Sequence, residues 1–311
     1  MGLRLAAVIG LCASCVLAVT PAYADARSAA LNRNTISLMA SEPEWLGISQ
    51  QLAKQLDHED GLRVLPLVGR GSVQALSDLI NLQAVDAALI SSDALVYAQA
   101  QGLLLPSGNK IAYLADVAKL PVVLVARREI SNVTGLAGQR ISTGPAQSAA
   151  FATGELLLGS LGVPFTRVAA SGPAALVALT EGRADAALLL GTENLRNLDA
   201  KLFHVLQLPL PKELQANYAP ALLSEDVLGE LNLGQGDVET VSIAMVLAVF
   251  NWPADNEHTI RLKHFAKVLL STPLQISQSA GTNLTTEVQG WQRHLSAEQA
   301  INELNLTPNS L

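Results

Sequence analysis

The sequence is poor in several residue types, and each shortage removes a class of function. Its two cysteines, Cys12 and Cys15, both lie in the apolar N-terminal stretch. A chain cleaved after that stretch has no disulfide, no thiol nucleophile and no cysteine metal site. Aromatic residues make up 4% and charged residues 15%, with 20 Lys+Arg against 27 Asp+Glu for a formal charge of −7. A nucleic-acid binder needs a basic face, so nucleic acid is excluded as a partner. No basic amphipathic helix of the membrane-surface type is present. Beyond the N-terminus no apolar run is long enough to span a bilayer, Val241 to Phe250 being too short.

Catalytic signatures are missing as well. The five histidines (His58, His204, His258, His264 and His294) show no HExxH or paired-ligand spacing. Gly69-x-Gly71-x-x-Gln74 lacks the third glycine of a dinucleotide fingerprint. Ser107-Gly108-Asn109-Lys110 has the Ser-x-x-Lys spacing of some acyl-enzymes, but in a Gly/Pro loop rather than at a helix start. The expectation is a protein that is not an enzyme and carries no cofactor or metal.

What is present is a large apolar fraction, 50% of the residues, enough for one large or two medium α/β domains with a buried core. Met1 to Arg4, the apolar Leu5 to Val19 and the small-x-small Ala22-Tyr23-Ala24 read as a secretory signal peptide cut after Ala24, hence a periplasmic protein. Neither cysteine suits a lipoprotein anchor: Cys12 directly follows Leu11, and Cys15 has Cys12 three residues before it. Removing the signal also removes Arg4, leaving 19 basic against 27 acidic residues, or −8.

One pattern occurs twice. Val64 to Val68 reads as a strand, Gly69-Arg70-Gly71-Ser72 as a turn, Val73 to Leu82 as a helix, and Val85-Asp86-Ala87-Ala88-Leu89-Ile90 as a second strand ending in Ser91-Ser92-Asp93. Later, Arg167 to Ala170, Ser171-Gly172-Pro173, a helix to Glu181 and Ala184-Asp185-Ala186-Ala187-Leu188 repeat it, ending in Gly191-Thr192. Ser72 and Ser171 stand where an N-cap belongs, with the positive helix end beyond them a small anion site. Two such units imply two lobes, each a mostly parallel sheet flanked by helices, facing one cleft.

The expected boundaries are 25–126 for the first lobe, 127–240 for the second and 241–311 for a return strand and C-terminal helices on the first. Ile111 to Leu114 and Leu120 to Ala126 read as separate strands, 127–138 as the crossing, and Val241 to Phe250 as the returning strand of a two-stranded hinge. Thr35 to Ala40 reads as the first strand, and Gln139 to Thr143 and Ala149 to Leu161 as a strand and helix around the loop Gly144 to Ser148. The tail from Thr272 is helix-patterned, with Trp291 as its anchor. Candidate ligand-binding residues at strand ends and helix starts are Ser41, Arg70, Gly71, Ser72, Ser91 and Ser92 on one lobe and Ser142, Gln147, Ser148 and Thr192 on the other. Arg70 suits either a bidentate carboxylate contact or a solvated loop cation. Arg140, opening a strand, suits a structural ion pair.

The run Gly69-Arg70-Gly71-Ser72-Val73, the Val85 to Leu89 strand with Ser92-Asp93, and Ile130 through Gly138-Gln139-Arg140-Ile141-Ser142-Thr143-Gly144 with Ser148 resemble the TAXI family of TRAP-transporter solute receptors, which are type II periplasmic binding proteins. The resemblance spans most of the chain through short motifs. It implies a bilobed receptor that closes on a small organic acid, such as glutamate or another dicarboxylate, and delivers it to the membrane permease subunits of a TRAP-type transporter; the chain itself is expected to be a monomer. One departure stands out: a glycine-rich turn and aromatic usual after the family's first strand are replaced by Ala40-Ser41-Glu42-Pro43-Glu44-Trp45. Two carboxylates there disfavour an anionic ligand unless they point away. Alternatives are a sensor input that docks on a membrane signalling protein, and an exported hydrolase.

Overall fold

The computed structural model describes residues 34–57, 59–104, 110–193, 195–232, 236–276 and 283–307. The expected signal peptide, His58 and Ser107 to Asn109 lie outside them. From Thr35 onward the chain is one compact unit, and among the described residues no helix is long and apolar enough to cross a membrane.

The first lobe is a βαβαβ unit: β1 (Thr35–Ala40), α1 (Leu46–Leu56), β2 (Arg63–Val68), α2 (Ser72–Asn81) and β3 (Ala87–Ser91), followed by α3 (Ser92–Ala100). β1 lies parallel between β2 and β3. All five residues of β3 are buried, which is why the strand is a continuous apolar run rather than an alternating one. Pro66 sits in β2, an edge strand of the sheet order and a place where a missing N–H is tolerated.

A long strand, β4 (Ile111–Arg127), then leads to a second βαβαβ unit: β5 (Arg140–Ser142), α4 (Ala149–Ser160), β6 (Thr166–Val168), α5 (Gly172–Thr180) and β7 (Ala186–Leu190). Again the first strand lies parallel between the other two. Two short strands come next, β8 (Phe203–Leu206) on β4 and β9 (Ala219–Leu223) on the second long strand, β10 (Val238–Phe250). The main order is β2-β1-β3-β10-β4-β7-β5-β6. β10 runs antiparallel beside β3, β4 antiparallel beside β7, and the two long strands pair with each other. The expected layout of two α/β lobes joined by two strands is therefore observed, and the half-motif visible in the sequence is part of a full five-element repeat.

Two expectations are corrected. The segments read as two strands around 111–126 form one 17-residue strand, and the crossing takes place inside it: Ile111 to Pro121 pair with β10 and Val122 to Ala126 with β7, so 127–138 already belongs to the second lobe. Asp116 and Lys119 give this stretch the look of a loop. Asp116 is fully buried and its carboxylate meets Lys119 Nζ at 2.8 Å, and two register shifts against β10 bend the strand around it. The tail is less helical than its pattern. Among the described residues after Thr272 only one helix occurs, Leu295–Glu303, packed against Glu257–Ser271. Trp291 does anchor it, donating from Nε1 to the Ser92 carbonyl at 2.9 Å.

Candidate functional site

The two lobes meet where β1 of one and the loop before α4 of the other end. Gly71 has φ +129 and a Cβ built there would overlap the Gln147 carbonyl oxygen, so only glycine lets the lobes approach this closely. Its N–H donates to the Ser41 carbonyl at 2.7 Å, and the next turn reaches across, Val73 N–H to the Gln147 carbonyl at 2.9 Å. Gln147 itself holds φ +72. Ser148 is the N-cap of α4, its Oγ accepting from Phe151 N–H at 3.2 Å.

Ser72 is placed differently from expectation. Gly71 takes the N-cap position and Ser72 is the first residue of α2, so its hydroxyl does not cap the helix. It lies 2.8 Å from Ser41 Oγ and accepts from Ser91 N–H at 3.3 Å. The freed Ser72 N–H donates to Glu42 Oε1 at 2.7 Å, and from the other lobe Ala149 N–H, first in α4, donates to the same oxygen at 2.7 Å. Ser171 is the N-cap of α5, again without a capping bond from its hydroxyl.

Glu42 is thus the point on which two helix N-termini from opposite lobes converge. It is 3% exposed. Burial raises its pKa from 4.5 to about 7, opposed by the Ala149 and Ser72 N–H groups and assisted by repulsion from Glu44. Pro43 explains the placement, because a residue before proline is held extended: Glu42 has φ −107 and ψ 142. The following 3-10 turn, Pro43–Trp45, buries Trp45 to 2% exposure and fixes the segment. Beside Glu42 lies a cavity of roughly 230 Å3 whose wall includes Trp45, Ala149 and Gly172 and two further carboxylates, Glu44 and Glu193. Burial also raises the pKa of Glu44.

A second contact closes the lobes along α3 and α4. Asp93, fully buried, accepts from Thr153 Oγ1 at 2.6 Å and Tyr218 OH at 2.7 Å. Desolvation raises the Asp93 pKa, and burial plus the Asp93 charge push the Tyr218 phenol up. Nearby, Tyr97 and Phe151 meet edge to face at 5.4 Å, and Ala152 of α4 belongs to the first lobe's apolar cluster.

The structure therefore brings together Ser41, Gly71, Ser72, Gln147 and Ser148, with Ser91 joined through its N–H. The other candidates lie apart from them. Ser92 accepts from Ala244 N–H at 3.3 Å on the side of the long strands, and Ser142 donates to the Ala170 carbonyl at 2.7 Å. Thr192 is half-buried between Gly191 and Glu193, and Arg70 is exposed on the loop before α2. Arg140 makes the expected structural pair, bidentate to Asp185 at 2.9 and 2.7 Å. The sequence flags Glu42 and Glu44 at this position without deciding which way they point, and the Asp93–Thr153–Tyr218 cluster escapes it. The Glu42-Pro43 dipeptide is the available signal, since it fixes the backbone although it says nothing about depth.

No family model matches the sequence, and no curated protein does. Among solved structures, the alkanesulfonate-binding protein SsuA from Xanthomonas axonopodis pv. citri, bound to MOPS, is 15% identical with TM-score 0.46, covering 88% of this chain and 81% of that one. A TctC solute-binding protein from Polaromonas is 16% identical with TM-score 0.44, covering 88% and 90%. The periplasmic VFT2 domain of BvgS from Bordetella pertussis is 15% identical with TM-score 0.46, covering 80% and 92%. The likeness is one of outline, and the two-lobed build is established by this chain's own strand order and register.

Proposed function

We propose that the chain is an exported solute-binding protein that holds a small organic acid between its lobes and passes it to the permease subunits of a TRAP-type transporter. The observation that carries this reading is the pair of N–H groups, Ser72 and Ala149, both 2.7 Å from one carboxylate oxygen and each heading a helix of a different lobe. First-turn N–H groups and two helix dipoles favour an anion, and because the lobes supply one donor each, a carboxylate there favours the closed arrangement. The body of the ligand would extend into the adjoining cavity. Glu44 and Glu193 line it, so an amino acid, with its ammonium toward them, suits the wall better than a dicarboxylate does. Ser41, Gly71, Ser72, Gln147 and Ser148 frame the position and Ser91 supports it.

The test is a thermal-shift screen of the chain from Asp25, refolded to strip carried-over ligand, against amino acids, monocarboxylates, dicarboxylates and sugars. Ligand at 100 times its dissociation constant adds about 2.7 kcal/mol of stability. The expected result is a selective shift by an amino acid, abolished by Ala149→Pro, which keeps the helix start but removes the donor. No shift with any acid would sink the cargo assignment.

A second reading, an input module that docks on a membrane signalling protein, is favoured by the lobes being already shut on Glu42 and along α3 and α4.

A further inference from the structure

We infer that Glu42 is a tethered ligand: its carboxylate fills the interlobe anion position from within the chain, closing the lobes without solute, and a free acid must displace it to enter. The inference rests on the acid site proposed above but adds which group holds that site in the resting protein.

Three observations carry it. First, the bonds are long-range: Glu42 reaches Ser72 across 30 residues and Ala149 across 107, so it is no local helix cap, which would act within its own first turn. Second, the base that presents it is fixed while the side chain has somewhere to go. Ser41 N–H is bonded to the Leu89 carbonyl at 3.3 Å and Trp45 is buried beneath the segment, whereas the cavity of roughly 230 Å3 opens beside the Glu42 side chain itself. Rotation about its side-chain bonds would carry the carboxylate out of the position toward that cavity. Third, among the described residues the carboxylate has no counter-cation. The charge that acts on it is Glu44 from its own 3-10 turn, and Glu193, from the loop after β7, lines the same cavity; both are acidic. No ion pair among the described residues includes Glu42, so it is held by the Ser72 and Ala149 N–H groups, the Ser72 hydroxyl and the helix dipoles. A buried acid held this way is poorly stabilised in its charged form, in keeping with its pKa of about 7. A solute carboxylate that brings its own cation toward Glu44 and Glu193 competes well against it.

The deciding experiment compares wild type with Glu42→Ala and Glu42→Gln, each read by solution scattering and thermal shift, with acetate as probe and acetamide as the neutral control. Wild type is expected to be compact without additive and indifferent to acetate. Glu42→Ala is expected to be expanded or less stable without additive, and to recover compactness and melting temperature with acetate but not acetamide, binding acetate at least tenfold more tightly than wild type does. Glu42→Gln, which keeps an acceptor oxygen for both N–H groups, guards against a misfolded alanine variant: it is expected to remain compact and to lose the fall in stability that wild type owes to Glu42 as pH rises from 5 to 8. An alanine variant as compact as wild type and indifferent to acetate, or a glutamine variant with an unchanged pH profile, would overturn the inference. Acetate recovery in Glu42→Ala without any solute response in wild type would keep the tether and remove the organic-acid cargo. A solute response in wild type with unaltered affinity in Glu42→Ala would do the reverse.

Discussion

The two βαβαβ units have the same strand order and differ in the loop that leaves the first strand of each. In the first, β1 runs straight into Ser41-Glu42-Pro43 and α1 starts only after a 3-10 turn, without a side-chain cap. In the second, β5 is succeeded by Gly144 to Ser148 and α4 starts on a Ser148 cap, with Ala149 N–H pointing at Glu42. One copy therefore supplies an acid and the other a donor, and the scaffold places them opposite each other. The equivalent residues Asp86 and Asp185 show what the repeat keeps: each accepts the N–H of a residue in its lobe's central strand, Ser37 at 2.9 Å and Arg140 at 3.0 Å. Duplication supplies the frame, and the loops after the central strands create the asymmetry that a site needs.

The largest effect expected from perturbing this comparison is at that aspartate pair. Asp86 is 7% exposed and also holds Arg261 at 2.8 Å, so Asp86→Ala leaves a strand N–H and a guanidinium without their partner and should cost about 3 to 4 kcal/mol. Asp185→Ala should cost about 1 kcal/mol, because its arginine partner is 46% exposed. Chemical denaturation measures both, and equal costs would deny that the lobes bury this contact differently. The glycines at the start of the second helix of each unit should also diverge. Gly71→Ala should cost about 3 kcal/mol or force the lobes apart, since it meets both a positive φ and the Gln147 backbone. Gly172→Ala at φ +50 meets only the far end of the Glu44 side chain, 3.2 Å away, and should cost about 1 kcal/mol; scattering separates loss of closure from loss of stability.

Glu42 gives a pH signature with a definite sign. Its folded pKa, about 7, lies above the ordinary 4.5, so its contribution is fully present below pH 4.5 and is lost as pH rises through 7. At 1.36 kcal/mol per unit the whole effect is at most about 3 to 4 kcal/mol, and Glu42→Gln should be more stable than wild type at pH 8 by about 1 to 3 kcal/mol. His294 acts in the opposite sense. Burial lowers its pKa from 6.5 to about 4, so its contribution is present above pH 6.5 and lost as pH falls through 4. The glutamine variant should therefore show the acid-side loss more plainly. The smallest effect is at the second interlobe contact: Thr153→Val removes one of two hydrogen bonds to Asp93 and should cost about 1 kcal/mol by thermal denaturation.

Much of the frame is legible in the sequence. Alternating strand and helix signals with glycine-rich turns mark out β2-α2-β3 and β6-α5-β7, and the Ser148 cap and the apolar β10 are plain because each depends on neighbours in sequence. β4 reads as two strands because Asp116 and Lys119 resemble loop residues until they pair, and β5, legible as a strand although only three residues long, does not show in sequence that it is the central strand of a repeat. Ser72 invites a capping role that Gly71 takes, because a type of residue indicates a cap whereas backbone angles select it.

The sequence by itself determined the local elements, the repeat that makes two lobes and the fixed extended backbone at Glu42-Pro43, since propensity, turn chemistry and proline geometry act within a few residues. Only the tertiary structure decided that Glu42 points inward and meets Ser72 and Ala149. An acidic residue in sequence reads as solvated, and burying it depends on donors that only the meeting of the two lobes brings within hydrogen-bonding distance.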